Sequence, residues 1–337
     1  MKEFYAKANA LLKIRRTNPV VTRVQREDEL GEVHTFEEKS AVDHNIAKYF
    51  TDIYKRPDYR RVAPNQIDFN VEDDEEMQIT TDSRINVTPF TMDEVNEAAK
   101  SSNFNKGLGP DCFDGNVLRS NNQLNEKVIS EITGALNNSS IPEYLRVGRL
   151  VPLQKTQTKG AVRLDDIRPI VVRSHLSKIM EKAILTKINS CCPHLIKSKV
   201  YQTGFKEGKS TAIHASRLLN EVHGNKKRNF YLLVDLQKAY DSVDREILWE
   251  ILEKRCKNDG EKAMVKLMMK LHRESTIQVG EHEINAEMGL PQGSVLSPFL
   301  FNVYLEEAIK SSRKLDEVRS RGDLLAFADD MLIMTNN

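Results

Sequence analysis

The pair Asp329-Asp330 lies inside the apolar run Leu-Leu-Ala-Phe-Ala-Asp-Asp-Met-Leu-Ile-Met, residues 324–334. This placement restricts the fold more than any other stretch of the chain. A buried carboxylate is costly unless it is paired, hydrogen-bonded or bound to a metal. Two other Asp-Asp pairs, at 73–74 and 165–166, sit among polar and charged neighbours, where a solvated surface accounts for them. The apolar flanks at 329–330 weigh against that account. The pattern predicts two short strands with the acids at the turn between them, a hairpin that presents carboxylates to a divalent cation.

A second acidic centre is Phe-Tyr-Leu-Leu-Val-Asp-Leu-Gln-Lys-Ala-Tyr-Asp-Ser-Val-Asp, residues 230–244. The apolar stretch 230–234 predicts a buried strand that delivers Asp235 at its C-terminal end. A helix should follow, with Val243, Ile247, Leu248, Ile251 and Leu252 on its inner side. Asp241 and Asp244 read as capping or structural acids. An Asp at a strand end and an Asp at a hairpin turn suit two-metal phosphoryl transfer. Between these acids, Gly289–Pro298 (Gly-Leu-Pro-Gln-Gly-Ser-Val-Leu-Ser-Pro) precedes an apolar helix. Ser297 at its N-cap and Pro298 at its first position mark the start. Gly289 and Gly293 let backbone approach a ligand closely, and Gln292 offers an amide.

Upstream, Gly148–Leu153 and Ile167–Val172 read as two strands joined by a basic loop, a flap suited to gripping a triphosphate. Ser174 caps the helix after them. Thr91 and Glu94 form a capping box that opens another helix, which ends at the Gly/Pro-rich turn 106–111. Residues 1–57 read as two helices around an irregular stretch at 29–32, and 58–85 as an acidic linker.

The balance of 50 Lys/Arg against 49 Asp/Glu gives a net charge of +1, but the charges are segregated. Residues 142–187 carry ten basic side chains against four acidic, 197–228 carry eight against two, and 68–97 carry ten acids against Arg84 alone. Such segregation is compatible with phosphate-contacting surfaces and equally with ordinary solvated helix faces. No stretch approaches the roughly 18 apolar residues of a membrane span, and the four cysteines include no Cys-x-x-Cys pair. A soluble intracellular protein without zinc or disulfides is expected. Nuclear or cytoplasmic placement is favoured over mitochondrial, since the basic N-terminus is interrupted by Asn9, Asn18 and Pro19.

In this order and spacing, the segments resemble the reverse transcriptase domain of non-LTR (LINE-type) retrotransposons. The blocks Asp235–Asp241, Gly289–Ser297 and Phe327–Asp330 look like the palm motifs of that family. Leu153–Lys155 with Asp166–Ile170, and Tyr201–Thr211, look like its finger motifs, and Gly107–Asp111 like the turn before them. The resemblance implies an α+β right-hand polymerase. Its parts would be a helical N-terminal extension with acidic linker (1–85), fingers (86–228) and a palm (229–337) whose antiparallel sheet packs on helices. No thumb follows the Phe-Ala-Asp-Asp tetrad.

Carried over by residue, the resemblance gives Asp235, Asp329 and the Leu236 carbonyl two Mg²⁺ ions (or Mn²⁺), with Asp330 in support. Lys155 and Arg168 would contact the dNTP triphosphate. Gln292 and Gly293 would line the nascent base pair, and Tyr240 would exclude a ribose 2′-hydroxyl. The implied partners are an RNA template, a DNA primer and dNTPs, with a thumb supplied by another chain or a further C-terminal region. Two other readings stay open. One is a domesticated or decayed remnant that only binds nucleic acid or plays a structural part. The other is an RNA-dependent RNA polymerase, against which the aromatic at 240 stands.

Overall fold

Residues 20–28, 30–57, 87–155, 160–197, 199, 201–223, 230–273 and 275–335 are described by the structure, a computed structural model. The first expected helix up to residue 19, the linker from 58 onward and loop residues 156–159 lie outside them.

The N-terminal part departs from the expectation of helix, loop, helix. Val24–Glu27 (β1) and Val33–Phe36 (β2) form an antiparallel hairpin before the helix Lys39–Tyr54 (α1). The irregular stretch is its turn. Asp28 accepts hydrogen bonds from the Leu30 and Glu32 amides, and Gly31 takes the positive φ of 81° that favours glycine. β-Branched Val24, Val33 and Thr35 suit extended backbone, and β1 gains a second partner in the two-residue strand Val162–Arg163 (β4).

Helices Met92–Lys100 (α2), Val117–Ser120 (α3) and Asn122–Asn137 (α4) follow. The α2 capping box forms as expected, with Thr91 and Glu94 exchanging hydrogen bonds of 3.2 and 2.9 Å. Gly148–Gln154 (β3) and Ile167–Arg173 (β5) pair antiparallel, from Gly148 opposite Arg173 to Gln154 opposite Ile167. The Ser174 hydroxyl caps His175–Cys191 (α5) and donates to Asp111 at 2.5 Å, which pins the Gly-Pro-Asp turn against the helix start. Gly109 permits that approach, because a Cβ there would lie 2.5 Å from the Ser174 amide.

After Thr211–His223 (α6) come strand Phe230–Asp235 (β6) and helices Arg245–Arg255 (α7) and Asp259–His272 (α8). Strands Thr276–Val279 (β7) and His282–Asn285 (β8) extend the finger sheet to the order β5-β3-β7-β8. Helices Ser297–Ser311 (α9) and Arg313–Ser320 (α10) lead into Leu324–Phe327 (β9) and Asp330–Thr335 (β10). The second main sheet has the order β6-β10-β9.

Two apolar clusters organise the fold. The larger joins α2, α4, α5, α7, α8, α9 and β9 around the fully buried Trp249, and the smaller joins β1 and α1 to β3, β5, β7 and β8. Among the described residues, no helix is long and apolar enough to cross a membrane.

Strand β6 corrects one expectation. Its apolar run is bare rather than buried, with Leu233 81% and Leu232 56% exposed. It forms the outer edge of its sheet, paired with β10 alone among the described residues. The composition of a strand records that it is apolar, without recording which surface it meets.

Candidate active site

The hairpin β9–β10 turns through Ala328-Asp329, so the expected geometry of the acidic pair forms. Asp330 stands directly opposite Asp235 in the β6–β10 ladder. Directly opposed residues project from the same face, with Cβ atoms roughly 5 Å apart. Asp329 completes the group. Its pKa is raised by burial first, then by the negative charges of Asp330 and Asp235, while Arg168 acts in the opposite sense. These interactions bring the three acids and one of the predicted triphosphate contacts into a single electrostatic neighbourhood.

Ala328 takes a left-handed conformation, φ 58°, which costs a non-glycine residue about 1–2 kcal/mol. The turn is held by Gln202, a buried side chain 126 positions earlier in the chain. Its Oε1 accepts from the Ala328 amide at 2.9 Å, and its Nε2 donates to the Ala328 carbonyl at 2.9 Å. The neighbouring backbone straps β9 through Ala326 N to Tyr201 O at 2.8 Å and Thr203 N to Ala326 O at 2.9 Å. Gly204 must lack a side chain, since a Cβ there would meet the Ala328 amide at 2.3 Å. The family-like segment 201–211 therefore acts partly as a brace for the catalytic turn.

Tyr240 lies half-buried with its ring stacked on Phe301, centroids 4.8 Å apart at 12°, and Phe205 approaches its edge. Burial, and then the Asp329 charge, push its hydroxyl pKa upward. A rigid ring beside the acidic centre fits a platform under a sugar.

The glycine-rich loop is bound to both sheets. Gly293 comes so close to β5 that a Cβ would meet the Val171 carbonyl at 2.4 Å, and Val171 N donates to Gln292 O at 2.8 Å. Asp241 accepts from Tyr54 Oη at 3.2 Å, and the Gln292 side chain lies near enough to favour its charged form. Burial raises the Asp241 pKa despite these partners. Asp241 is thus a buried acid held by Tyr54 beside Gln292. Asp244 caps α7 through the Glu246 and Ile247 amides. The cap of α9 differs from expectation by three residues: Ser294, rather than Ser297, accepts the Leu296 and Ser297 amides.

The buried pair Arg173–Glu181, 2.6 Å apart, ties β5 to α5, and the second Glu181 oxygen accepts the Val295 amide. Glu181 carries no sequence signal, and for Gln202 the signal was only its place in the 201–211 motif, since each works through backbone atoms more than a hundred residues away. Lys155 is exposed, and its ammonium rests on the Asp165 carbonyl at 2.5 Å. Lys155 and Lys238 both lie near enough to favour the charged form of Asp241. Lys238 is a cation that sequence reasoning passed over. It sits 5.1 Å over the Tyr49 ring, in the motif between Asp235 and Tyr240.

The donor set is carboxylate and carbonyl oxygen, which suits hard divalent cations. Among the described residues, the metal-type cluster with all ligand atoms within 4.8 Å is Asp28, Glu32 and His34 on the N-terminal hairpin; Asp235, Asp329 and Asp330 are more open. Openness agrees with a Mg²⁺ site, which ordinarily takes one or two carboxylates and leaves other positions to substrate phosphates and water.

An acid-bearing hairpin opposite an acid-ended strand, closed by a glycine loop and a two-stranded flap, defines a polymerase-type palm with fingers. The chain belongs to the reverse transcriptase family: the family described as Reverse transcriptase (RNA-dependent DNA polymerase) matches residues 153–337, more than half of its length. It is 24% identical over 262 residues to the RNA-directed DNA polymerase from mobile element jockey of Drosophila melanogaster, covering 74% of this chain and 28% of that protein. It is 25% identical over 182 residues to the Retrovirus-related Pol polyprotein from type-1 retrotransposable element R2 of Popillia japonica, covering 50% and 25%. It is also 24% identical over 212 residues to a putative COX1/OXI3 intron 2 protein of Saccharomyces cerevisiae, covering 63% and 22%. The chain thus spans about a quarter of the length of these relatives. A solved Cas6-RT-Cas1--Cas2 complex aligns with TM-score 0.39 at 19% identity, covering 73% of this chain and 23% of that one.

Proposed function

We propose that this chain carries the RNA-directed DNA polymerase centre of a non-LTR retrotransposon protein, extending a DNA primer with dNTPs on an RNA template. The observation that carries the proposal is the register of Asp235 opposite Asp330 with Asp329 at the adjoining turn. We assign fingers to 86–228 and palm to 229–337, with 1–85 as an N-terminal extension.

Asp235, Asp329 and the Leu236 carbonyl would hold two divalent cations, which lower the barrier by activating the primer 3′-hydroxyl and stabilising the leaving pyrophosphate. Asp330 keeps the local field negative. Arg168 offers the planar fork that matches phosphate oxygens, and Lys155 a point charge beside it. Gln292, beside Asp241, and the bare backbone of Gly293 border the nascent base pair. Tyr240, rigid on Phe301, stands where a 2′-hydroxyl would project.

Primer extension on an RNA template with Mg²⁺ tests the reading, with Asp329→Ala as control. Extension in the parent that is lost in the control supports it. An inert parent that still binds RNA supports the remnant reading instead. Tyr240→Val tests the sugar filter: ribonucleotide incorporation should rise, and unchanged dNTP/rNTP discrimination would remove Tyr240 from that role.

A further inference from the structure

Helices α7 and α9 both start beside the catalytic loop, and at their other ends lies a second basic feature. A concavity of about 560 Å³ is ringed by His194, Lys197, Lys199, Lys206, Arg255 and Lys310. Arg255 is the last residue of α7 and Lys310 lies in the last turn of α9. At 1.5 Å per residue they are roughly 15 and 20 Å from their helix starts. Lys197 and Lys199 come from the turn after α5, so three separate parts of the fold contribute cations.

Acidic compensation is sparse. Glu306, the acid in the lining, is engaged by Lys310 at 3.0 Å, and His194 meets Glu261 at 3.1 Å. Arg255 donates to the Leu195 carbonyl, and the Lys206 ammonium to the Lys199 carbonyl at 2.7 Å. Among the described residues, neither Lys197 nor Lys199 has an acid within ion-pair distance. Both are exposed. Lys206 titrates below its ordinary range, chiefly through burial; Glu306 opposes the shift, and Lys197 and Lys209 add to it. The fold therefore holds like charges together around a hollow, an arrangement that a polyanion would relieve.

A single carboxylate would leave most of these charges unmatched. A nucleic-acid strand carries closely spaced phosphates along its length, and Lys side chains meet phosphate as mobile point charges. We propose that this hollow is a second phosphate-binding site, which holds the sugar-phosphate backbone of an RNA strand outside the catalytic cleft. The choice of RNA rests on the polymerase reading given above; the anion site itself does not. Contact made through phosphates there is independent of base sequence.

The test uses the full chain and a single-stranded oligouridine of about 20 nucleotides, with binding followed by fluorescence anisotropy between about 50 and 400 mM salt. Each phosphate contact on a single strand contributes roughly −0.7 to the slope of log K against log salt. Lys197→Gln with Lys199→Gln removes two exposed cations that meet no acid among the described residues, so the fold is retained. The slope should become shallower by about 1.4, with affinity about 20-fold weaker near 0.1 M salt. Lys197→Glu with Lys199→Glu should weaken binding further.

An unchanged slope and affinity in both variants would overturn the site, as would a parent that binds no RNA. So would polyglutamate displacing the RNA at equal charge concentration and losing its own binding in the variants, because the site would then belong to an acidic protein partner. Asp329→Ala serves as the second arm. It should bind the oligomer like the parent, so failed extension and failed anchoring are read separately.

Discussion

Strands β9 and β6 flank the same central strand, β10, and both lie beside the acids, yet their surroundings are opposite. In β9, Leu324, Leu325 and Ala326 are sealed beneath the helices, and the Tyr201–Gly204 segment straps the open edge. In β6, four consecutive apolar residues, Phe230 to Leu233, face solvent, and among the described residues one ladder alone holds the strand. The two carriers of the acidic centre are thus anchored by different means. The turn that bears Asp329 is fixed by packing and side-chain hydrogen bonds, whereas Asp235 is positioned chiefly by register with Asp330. An exposed apolar surface of this kind ordinarily marks an interaction site.

The largest effects should fall equally on both carriers. Asp235→Ala and Asp329→Ala are each expected to lower the single-turnover rate of primer extension by about 10³-fold or more, since each removes several kcal/mol of charge stabilisation. A loss below about tenfold in either one would break the symmetry of the pair. Stability should divide them sharply. Leu325→Ala on β9 is expected to cost about 2–5 kcal/mol by denaturant unfolding, and Leu233→Ala on β6 within about 0.5 kcal/mol. Similar costs at the two sites would mean that β6 is covered in solution, for instance by self-association. Gln202→Ala should follow, at about 1–3 kcal/mol, because the Ala328 amide and carbonyl lose their partner. Ala328→Gly should return about 1 kcal/mol by relieving the left-handed backbone. If Ala328→Gly destabilises instead, the turn is unstrained.

The smallest effect concerns charge. Asp329 has a raised pKa because burial and its acidic neighbours disfavour ionisation. Ionising it in the folded chain therefore costs stability. That cost is absent below the ordinary carboxylate range and grows as pH rises through the raised value. Without divalent cations, Asp329→Asn should have a higher melting temperature than the parent at neutral pH, and the gain should vanish in acid. A gain that persists in acid would show that something other than charge repulsion is responsible.

Much of this organisation was legible in the chain because local rules suffice for it. Apolar flanks predict the Asp329 hairpin, the apolar stretches around a basic loop predict β3 and β5, and side-chain caps predict α2 and α5. What escaped sequence reasoning depends on distant partners or on one-residue choices. Gln202 holds Ala328 across 126 positions, and Tyr54 meets Asp241 across 187. Ser297 was expected to cap α9, but it is the first helical residue, and Ser294 accepts its amide instead. The N-terminal hairpin was hidden because its turn chemistry, Asp28 with Gly31, lies within a polar stretch that reads equally well as loop. The exposure of β6 could not be read at all, since hydrophobicity carries no address.

The smaller apolar cluster has a consequence for synthesis. Its N-terminal contributors, Val21 to Tyr54, pack against Ile277, Val279, Ile284 and Ala286, which leave the ribosome roughly 220 residues later. At about 5–20 residues per second, that is a delay on the order of 10–45 s. Throughout it, Val42, Ile46 and Phe50 lack their final neighbours, so this segment waits, partly uncovered, for β7 and β8. Chaperone dependence and sensitivity to translation speed should therefore concentrate in residues 21–54, which reach the surroundings of the acidic centre through Tyr49 and Tyr54.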